Sequence, residues 1–318
     1  MRIYKDYRLK LIKGLKKFYE KFPGEKWTVF DLMRFIKQRL NNNRDCWVAV
    51  SGSTGSGKSY LTIMGSILLG RPFDLVKNIS YIPKGTEIAD RLQEMKKQAY
   101  IVDEAIRAAR KTDWMKKSQK KVIEKIFTER YLNNLCFLLM PNFKEFSKSL
   151  KEGAVPFRLV VLYRTKQYAH VFVYKISDNW RSEDPWSDDI ANKVYKKKEE
   201  KDILDYNTMS KIEKNLPSYL MDFKIPNLAL ILPDVVEEYE RLKIDSRKQS
   251  EDDEEDAPDK YKVKYNDVLG KIVELIRSNS FNLGKVDSHK ISFASIAREL
   301  GVSSNVISKS FKEYKGKE

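Results

Sequence analysis

Continuous apolar runs alternate with helix-spaced segments along the first half of the chain. The runs at 46–50, 99–102 and 134–140 are almost entirely apolar, which is typical of strands buried on both faces of a parallel sheet. Between them, segments 60–64 and 86–97 carry apolar residues in helical patterns. This alternation predicts an α/β fold with a mostly parallel sheet.

The next apolar segments have a different pattern. Residues 157–163 and 168–174 are rich in β-branched and aromatic residues and flank a short polar link at 164–167. Two such runs around a short link predict a β-hairpin. His170 lies within the second run, where a packed strand histidine is a better interpretation than a ligand or a catalyst.

The N-terminal segment 1–45 combines apolar helical periodicity with strong positive charge. It holds 13 Lys and Arg against 5 Asp and Glu, and Pro23-Gly24 interrupts it. We expect two amphipathic helices on either side of this break. The basic face either contacts DNA or is simply solvated.

The C-terminal half is more polar. Residues 181–246 have helix-period apolar positions and predict helices packed on the core, with a solvated turn at the acidic string 183–189. Residues 247–259 are acidic and of low complexity, which predicts a linker.

The final segment, 260–318, carries a helix-turn-helix pattern, and we expect a winged-helix-like domain. Ala297 supplies a small residue in the first helix, and Gly301 allows the tight turn. Such pairs bind either DNA or proteins. The side chains predicted to face a DNA groove are Ser303, Ser304, Asn305, Ser308 and Lys309.

Composition adds a partner class. The chain of 318 residues has a net charge of +16, which favours a polyanion, with nucleic acid first and an anionic membrane second. Cys46 and Cys136 lie in apolar runs and are expected to be reduced core residues. The apolar runs are too short to span a bilayer, and the lysine-rich N-terminus is unlike a secretory signal. We therefore expect a cytoplasmic protein, in the host cytoplasm if it is viral.

The most specific motif is residues 52–59, which read GSTGSGKS and fit the phosphate-binding P-loop pattern. An apolar run precedes it and a helical segment follows it, as this chemistry requires, because backbone N–H groups and the helix N-terminus hold the phosphates. Lys58 is expected to reach the β- and γ-phosphates of ATP, and Ser59 to ligate Mg²⁺. The residues expected to bind the nucleotide are Gly52, Thr54, Gly55, Ser56, Gly57, Lys58 and Ser59.

Two acidic residues end the run at 99–102. Asp103 is expected to hold Mg²⁺ and its waters, and Glu104 to polarise the attacking water. Such an acidic pair is a weak signal alone and gains weight from the P-loop.

Asn142 ends the run that begins at residue 134. It is either a sensor that hydrogen-bonds the γ-phosphate or the lytic water, or a turn asparagine after a proline.

The motifs at 52–59, 99–104 and 134–142 resemble those of FtsK/HerA-type P-loop ATPases. They are closer to zonular-occludens-toxin-like and virus- or plasmid-encoded members, in which an arginine-bearing helix precedes the sensor strand, as 128–135 does here. The resemblance spans about 45–175 and implies a RecA-like fold, an oligomeric ring with a hexamer as one candidate, and ATP-driven movement of DNA. The hairpin favours this branch over AAA+ modules.

The resemblance also implies an arginine finger that acts on a neighbouring subunit. Arg130 is the first candidate, with Arg158 and Arg164 behind it, and a surface arginine without a catalytic role is the alternative. The chain departs from the toxin-like members because it lacks a membrane span and adds the helix-turn-helix tail. A secretion role is therefore in doubt.

The sequence predicts a DNA-dependent ATPase, either a translocase or a genome-packaging motor of a virus or plasmid. The alternative is a replication initiator or transcription regulator that uses ATP as an assembly switch. A GTPase switch is disfavoured, since the chain has no Asn-Lys-x-Asp motif for reading guanine.

Overall fold

The structure is a computed structural model that describes residues 2–3, 5–81, 88, 90–91, 94–105, 132–145, 148–176, 184–199 and 205–255. Met1–Lys248 form one compact unit, and Gln249–Glu318 belong to a second. Arg130, the helix-turn-helix segment 260–318 and its candidate DNA contacts Ser304, Asn305, Ser308 and Lys309 lie outside the described residues.

Seven strands of the described chain form one sheet, in the order β4-β5-β6-β2-β7-β8-β9, and a short separate sheet pairs β1 with β3. The strands are β1 (Arg2–Ile3), β2 (Cys46–Gly52), β3 (Phe73–Asp74), β4 (Ile79–Ser80), β5 (Ala99–Val102), β6 (Leu135–Met140), β7 (Phe157–Arg164), β8 (Tyr168–Lys175) and β9 (Tyr219–Pro226).

Five neighbouring strands, from β4 through β7, run parallel, whereas β7, β8 and β9 are antiparallel. Strand β2 is central: its Ala49 lies beside Leu138 of β6 on one side and Arg158 of β7 on the other. The α/β architecture and the hairpin expected from the apolar pattern are therefore confirmed. The parallel arrangement places the carboxyl ends of β2, β5 and β6 at one edge.

The described helices cover both faces of this sheet. They are α1 (Lys5–Tyr19), α2 (Val29–Asn41), α3 (Lys58–Leu69), α4 (Lys148–Gly153), α5 (Asp188–Glu199), α6 (Tyr206–Lys214) and α7 (Pro233–Glu255). Alternate residues of β2 enter two apolar clusters, with Val48 and Val50 in one and Trp47 and Ala49 in the other. The strand is buried on both faces for this reason.

The two N-terminal helices are part of the main core. Leu11 and Leu15 of α1 and Ile36 of α2 are fully buried in the same cluster as α3. Thr28 and Asp31 form a capping box that starts α2, since each side chain satisfies a backbone N–H of the other. The helices predicted on either side of Pro23-Gly24 are present, and their apolar faces pack against helix α3.

The region 181–246, predicted as helical, contains the strand β9, so that prediction is wrong in part. Met221, Phe223 and Ile225 point to the buried face, while the residues between them are half-buried. This period of two is present in the sequence, and the charged residues between the apolar ones mask it. β9 forms because the outer strand β8 would otherwise leave its backbone groups unpaired.

Two other expectations need correction. The turn in the acidic string is buried rather than solvated: Trp186 is buried, and Asp184 accepts hydrogen bonds from three backbone N–H groups at the start of α5. Helix α7 continues to Glu255, so it includes much of the predicted linker 247–259.

Within the described part of the chain, none of the helices has the length and apolar character that a membrane crossing requires.

Candidate nucleotide-binding site

The loop of residues 53–57 connects the carboxyl end of β2 to the first turn of α3. Gly52, Gly55 and Gly57 have positive φ angles of 147°, 74° and 96°. A Cβ on Gly52 would lie 2.6 Å from the Val161 carbonyl oxygen, so a larger residue does not fit there. The glycines therefore allow a loop whose backbone curves around the N-terminus of α3, where N–H groups attract anions.

Lys58 is the first residue of α3, and its side chain turns back to this loop. Its Nζ donates to the carbonyl oxygens of Gly52 and Ser53 at 2.8 and 2.7 Å. Burial lowers the pKa of Lys58, and the Asp103 carboxylate opposes that shift. The side-chain oxygen of Ser56 is buried without a hydrogen-bond partner among the described residues. A buried hydroxyl of this kind suits a ligand that accepts hydrogen bonds, as phosphate does.

The acidic pair follows β5, and β6 separates this strand from β2. Asp103 is 5% exposed, and its Oδ1 accepts from the Glu104 N–H at 3.1 Å. Glu104 has a φ of 51°, which is uncommon for a residue with a side chain. Together with the loop, both acids line one cavity of about 470 Å³.

One wall of this cavity comes from α7, to which the sequence assigned no chemistry. Asp103 Oδ2 accepts from the Tyr239 hydroxyl at 2.9 Å and from Lys243 Nζ at 2.6 Å. Glu104 Oε1 lies 3.1 Å from an Arg247 guanidinium nitrogen. These α7 residues are spaced four apart in the sequence and therefore share one helix face. Many solvated polar residues have the same spacing. No local signal distinguished them.

Tyr239 links the two residues predicted to hold the metal. Its hydroxyl donates to Asp103 and lies beside the Ser59 hydroxyl, and Lys243 Nζ lies 3.2 Å from it. Burial raises the pKa of Tyr239, and the Asp103 charge raises it further. Both effects favour the protonated hydroxyl, which donates to Asp103.

Arg164, at the end of β7, lies over the P-loop of its own chain. Its guanidinium donates to the Gly55 carbonyl oxygen and lies 5.9 Å from the centre of the Tyr60 ring. Arg158, the other reserve candidate for the finger, pairs with Asp188 and stacks on the Phe143 ring instead. Arg158 is not among the residues that line the cavity.

Asn142 follows β6, and its Oδ1 accepts from the Lys144 N–H at 3.0 Å. The side chain is exposed, and the neighbouring Pro141 and Met140 line the cavity in its place. In this structure Asn142 is the turn asparagine of the second interpretation. Its sensor role stays a prediction.

The residues present fit ATP and Mg²⁺. The glycine cradle and Lys58 would hold phosphates, and Ser59 with Asp103 would hold the metal. Among the described residues, no group of three or more His, Cys, Asp or Glu side chains could bind a metal alone. In nucleotide sites, Mg²⁺ takes one or two protein ligands and completes its shell with water and phosphate.

No protein-family model matches the chain, and no curated protein matches it. Solved structures similar to part of it include the N-terminal domain of zonular occludens toxin from Neisseria meningitidis. The identity is 18%, the TM-score is 0.31, and the match covers 43% of this chain and 86% of that one.

Another similar structure is the genome packaging NTPase B204 from Sulfolobus turreted icosahedral virus 2 in complex with ATP-gammaS. It is 14% identical with a TM-score of 0.30, over 41% of this chain and 92% of that chain. A chain of the E. coli MS115-1 HORMA:CdnC:Trip13 complex is 11% identical with a TM-score of 0.29, over 67% and 78% of the two chains. The first two proteins are of the kinds that the sequence motifs resemble. Because these TM-scores are low, the function proposed below rests on the geometry of the site.

Proposed function

We propose that the protein is a Mg²⁺-dependent ATPase. The observation that carries this proposal is that the P-loop, which follows β2, and Asp103 and Glu104, which follow β5, line one cavity at the carboxyl edge of the sheet. Parallel sheets bind ligands at this edge. The loop and its helix N-terminus supply the anion cradle, and the acids supply the groups that metal binding and water activation need.

Each residue has a role in this proposal. Lys58 leaves its two backbone carbonyls and contacts the β- and γ-phosphates, while Ser59 and Asp103 hold Mg²⁺. The metal, when bound, neutralises charge that develops on the phosphate oxygens. Glu104 accepts a proton from the water whose oxygen bonds to the γ-phosphorus, and the bond from that phosphorus to the β,γ-bridging oxygen breaks. The products are ADP and inorganic phosphate.

Two substitutions test the ATPase. Lys58→Ala should abolish turnover by removing a phosphate contact. Glu104→Gln should lower turnover by at least about 100-fold while ATP stays bound, because only the proton acceptor is lost. The measurements are phosphate release and equilibrium binding of ATP.

Glu237→Gln is the matched control, since it makes the same chemical change at an exposed position of α7. Its turnover should equal that of the wild type. Normal hydrolysis by the Glu104→Gln protein would contradict the assignment of the site.

We further propose that DNA is the polyanionic partner and that a groove beside α1 and α2 contacts its phosphates. Arg8, Arg34 and Lys37 line this groove together with Phe30. Arg8 Nε is buried without a partner among the described residues, and burial and then the charges of Arg8 and Arg71 lower the pKa of Lys37. The cations that line this groove repel one another, and bound DNA phosphates would relieve that repulsion.

The test compares the salt dependence of DNA binding. The double variant Arg8→Gln and Lys37→Gln should bind more weakly, and its slope against log salt should become shallower by about 1 to 2, since each phosphate contact contributes roughly 0.9 to the slope. Lys198→Gln, at an exposed position of α5, is the control. An unchanged slope in the double variant would exclude this groove as the DNA site.

The finer proposal is a DNA translocase or genome-packaging motor that assembles as a ring. The hairpin β7-β8 supports it, since an AAA+ module would continue into helices at this point. Arg164 lies on the P-loop of its own chain, so Arg130 stays the first candidate for a finger that acts on the neighbouring subunit, and a surface arginine without a catalytic role stays the alternative. Movement of DNA can be measured by triplex displacement and subunit number by mass photometry. ATP-dependent DNA binding without displacement would favour the initiator or regulator.

A further inference from the structure

The inner face of α7 places two cations on the two acids of the proposed ATPase site. Lys243 Nζ contacts Asp103 at 2.6 Å, and the side chains of Lys243 and Asp103 are only 20% and 7% exposed. Arg247 contacts Glu104 at 3.1 Å and is more exposed, at 55%. The carboxylates that the reaction needs are therefore already paired with positive charges from the same chain.

The two halves of α7 are held differently. Val235 and Tyr239, in the N-terminal half, are buried in the main apolar cluster. Beyond Tyr239, Leu242 packs only in part against this cluster, Ile244 is 53% exposed and Lys248 is exposed, so little further apolar burial holds these turns. Contacts of Lys243 and Arg247 with the site hold this part in place. The turns beyond Leu242 can therefore move without disrupting the core.

A metal ion and Lys243 compete for the same carboxylate. Mg²⁺ binds oxygen at about 2.0–2.1 Å, demands octahedral geometry and keeps several waters. Asp103 Oδ2 already accepts from Lys243 Nζ and the Tyr239 hydroxyl, and Tyr239 also lies beside Ser59. Two cations at one oxygen repel strongly at a site shielded from water.

We propose that Lys243 is a resident counter-ion of Asp103 and that Mg²⁺ must displace it, so that residues 243–248 of α7 form a strap that controls metal loading. The inference rests on the proposed ATPase function and adds regulation to it. While the strap is in place, Arg247 also keeps Glu104 turned towards α7. Displacement frees both acids at once, because both contacts lie on one helix face.

The experiment measures the Mg²⁺ concentration that half-saturates binding of a fluorescent, non-hydrolysable ATP analogue to the full chain. Lys243→Met should lower it by roughly 5- to 20-fold, at the low end of typical couplings between ligands. Lys243→Arg keeps the charge and should stay near the wild-type value. Lys248→Met removes the same charge from an exposed position of the same helix and should change nothing.

The outcomes separate the strap from the ATPase itself. Failure of the wild type to bind the analogue at any Mg²⁺ concentration would overturn the proposed function. Normal wild-type binding with an unchanged or higher Mg²⁺ requirement in Lys243→Met would overturn the strap alone.

A second measurement on the wild type avoids any dependence on the folding of a variant. Hydrogen exchange of backbone amides at 243–248 should rise when Mg²⁺ and the analogue are added together. Equal exchange with and without them would show that this part of α7 stays on the site, and the strap would be rejected.

Discussion

Asp103 is buried and Asp222 is half-buried, and these two acids have similar partners in different surroundings. Asp103 binds the Tyr239 hydroxyl and Lys243 Nζ. Asp222 binds the Tyr219 hydroxyl and Lys214 Nζ, the latter at 3.0 Å, and lies 2.8 Å from His170 Nε2. In each case a tyrosine and a lysine surround the carboxylate.

Their positions in the sheet distinguish them. Asp103 occupies a turn beyond the end of a parallel strand and lines the cavity with the P-loop. Asp222 lies within β9, opposite Phe172 in the antiparallel ladder, and does not line that cavity. Similar partners therefore surround an acid within the antiparallel ladder at one place and an acid that lines the P-loop cavity at the other. Partner chemistry alone does not identify a site.

The largest expected difference between the two acids is in turnover. Asp103→Asn should lower ATP hydrolysis by about 100-fold or more, because an amide holds a metal poorly and metal stabilisation contributes several kcal/mol. Asp222→Asn should stay within about twofold of the wild type. Steady-state phosphate release with saturating Mg²⁺ measures both. Equal losses would mean that Asp222 belongs to the catalytic machinery.

The next largest effect is on folding stability, and here Asp222 is expected to contribute more than Asp103. Burial tends to raise the pKa of Asp222, but hydrogen bonds from His170, Tyr219 and Lys214 outweigh it and set the pKa at about 2. A carboxyl with a lowered folded-state pKa stabilises the fold above its unfolded pKa of about 3.9, and this contribution disappears as pH falls through 2. Asp222→Asn should cost about 1–2 kcal/mol near pH 7.

Urea unfolding from pH 2 to pH 7 checks that prediction. Between about pH 2 and pH 4 the wild type should gain stability faster than the variant, since only the wild type carries this carboxylate. Parallel curves would show that Asp222 does not contribute through its charge.

A smaller effect is expected from the tyrosine hydroxyls. Tyr219→Phe and Tyr239→Phe each remove one hydrogen bond to a carboxylate, at a cost of roughly 1 kcal/mol in unfolding free energy. Only Tyr239→Phe should also change the Mg²⁺ dependence of nucleotide binding, because Tyr239 contacts Ser59 and Asp103. A similar Mg²⁺ shift in Tyr219→Phe would remove the distinction between the two acids.

The smallest effect is expected on the outer face of α7. Arg241 pairs with Glu238 at 2.9 Å and with Asp245 at 3.2 Å, and it is 58% exposed. Arg241→Ala should lower the unfolding free energy by no more than about 0.5 kcal/mol, as is usual for exposed helix pairs. Its Mg²⁺ requirement should equal that of the wild type. A change in the Mg²⁺ requirement as large as that of Lys243→Met would mean that any alteration of α7 has this effect, and not only a change on its inner face.

Apolar patterning predicted much of the sheet because strands buried on both faces are distinct in any sequence. The runs at 46–50 and 134–140 became β2 and β6, and the hairpin formed where two β-rich runs flank a polar link. The apolar pattern did not predict β9 because Asp222 and Lys224 interrupt its apolar residues. Its place in the sheet depends on β8, which is far from it in the chain.

The sequence alone determined the α/β architecture, the P-loop pattern and the acidic pair at the end of β5, because these depend on short stretches of chain. Only the tertiary structure decided which side chains complete the cavity. Tyr239, Lys243 and Arg247 are about 140 residues from the acids they contact. Contacts over such separations are set by how helices pack on a sheet, and no local pattern records them. The P-loop motif predicts where phosphate binds. The folded chain places Lys243 and Arg247 of α7 against the acidic pair that ends β5.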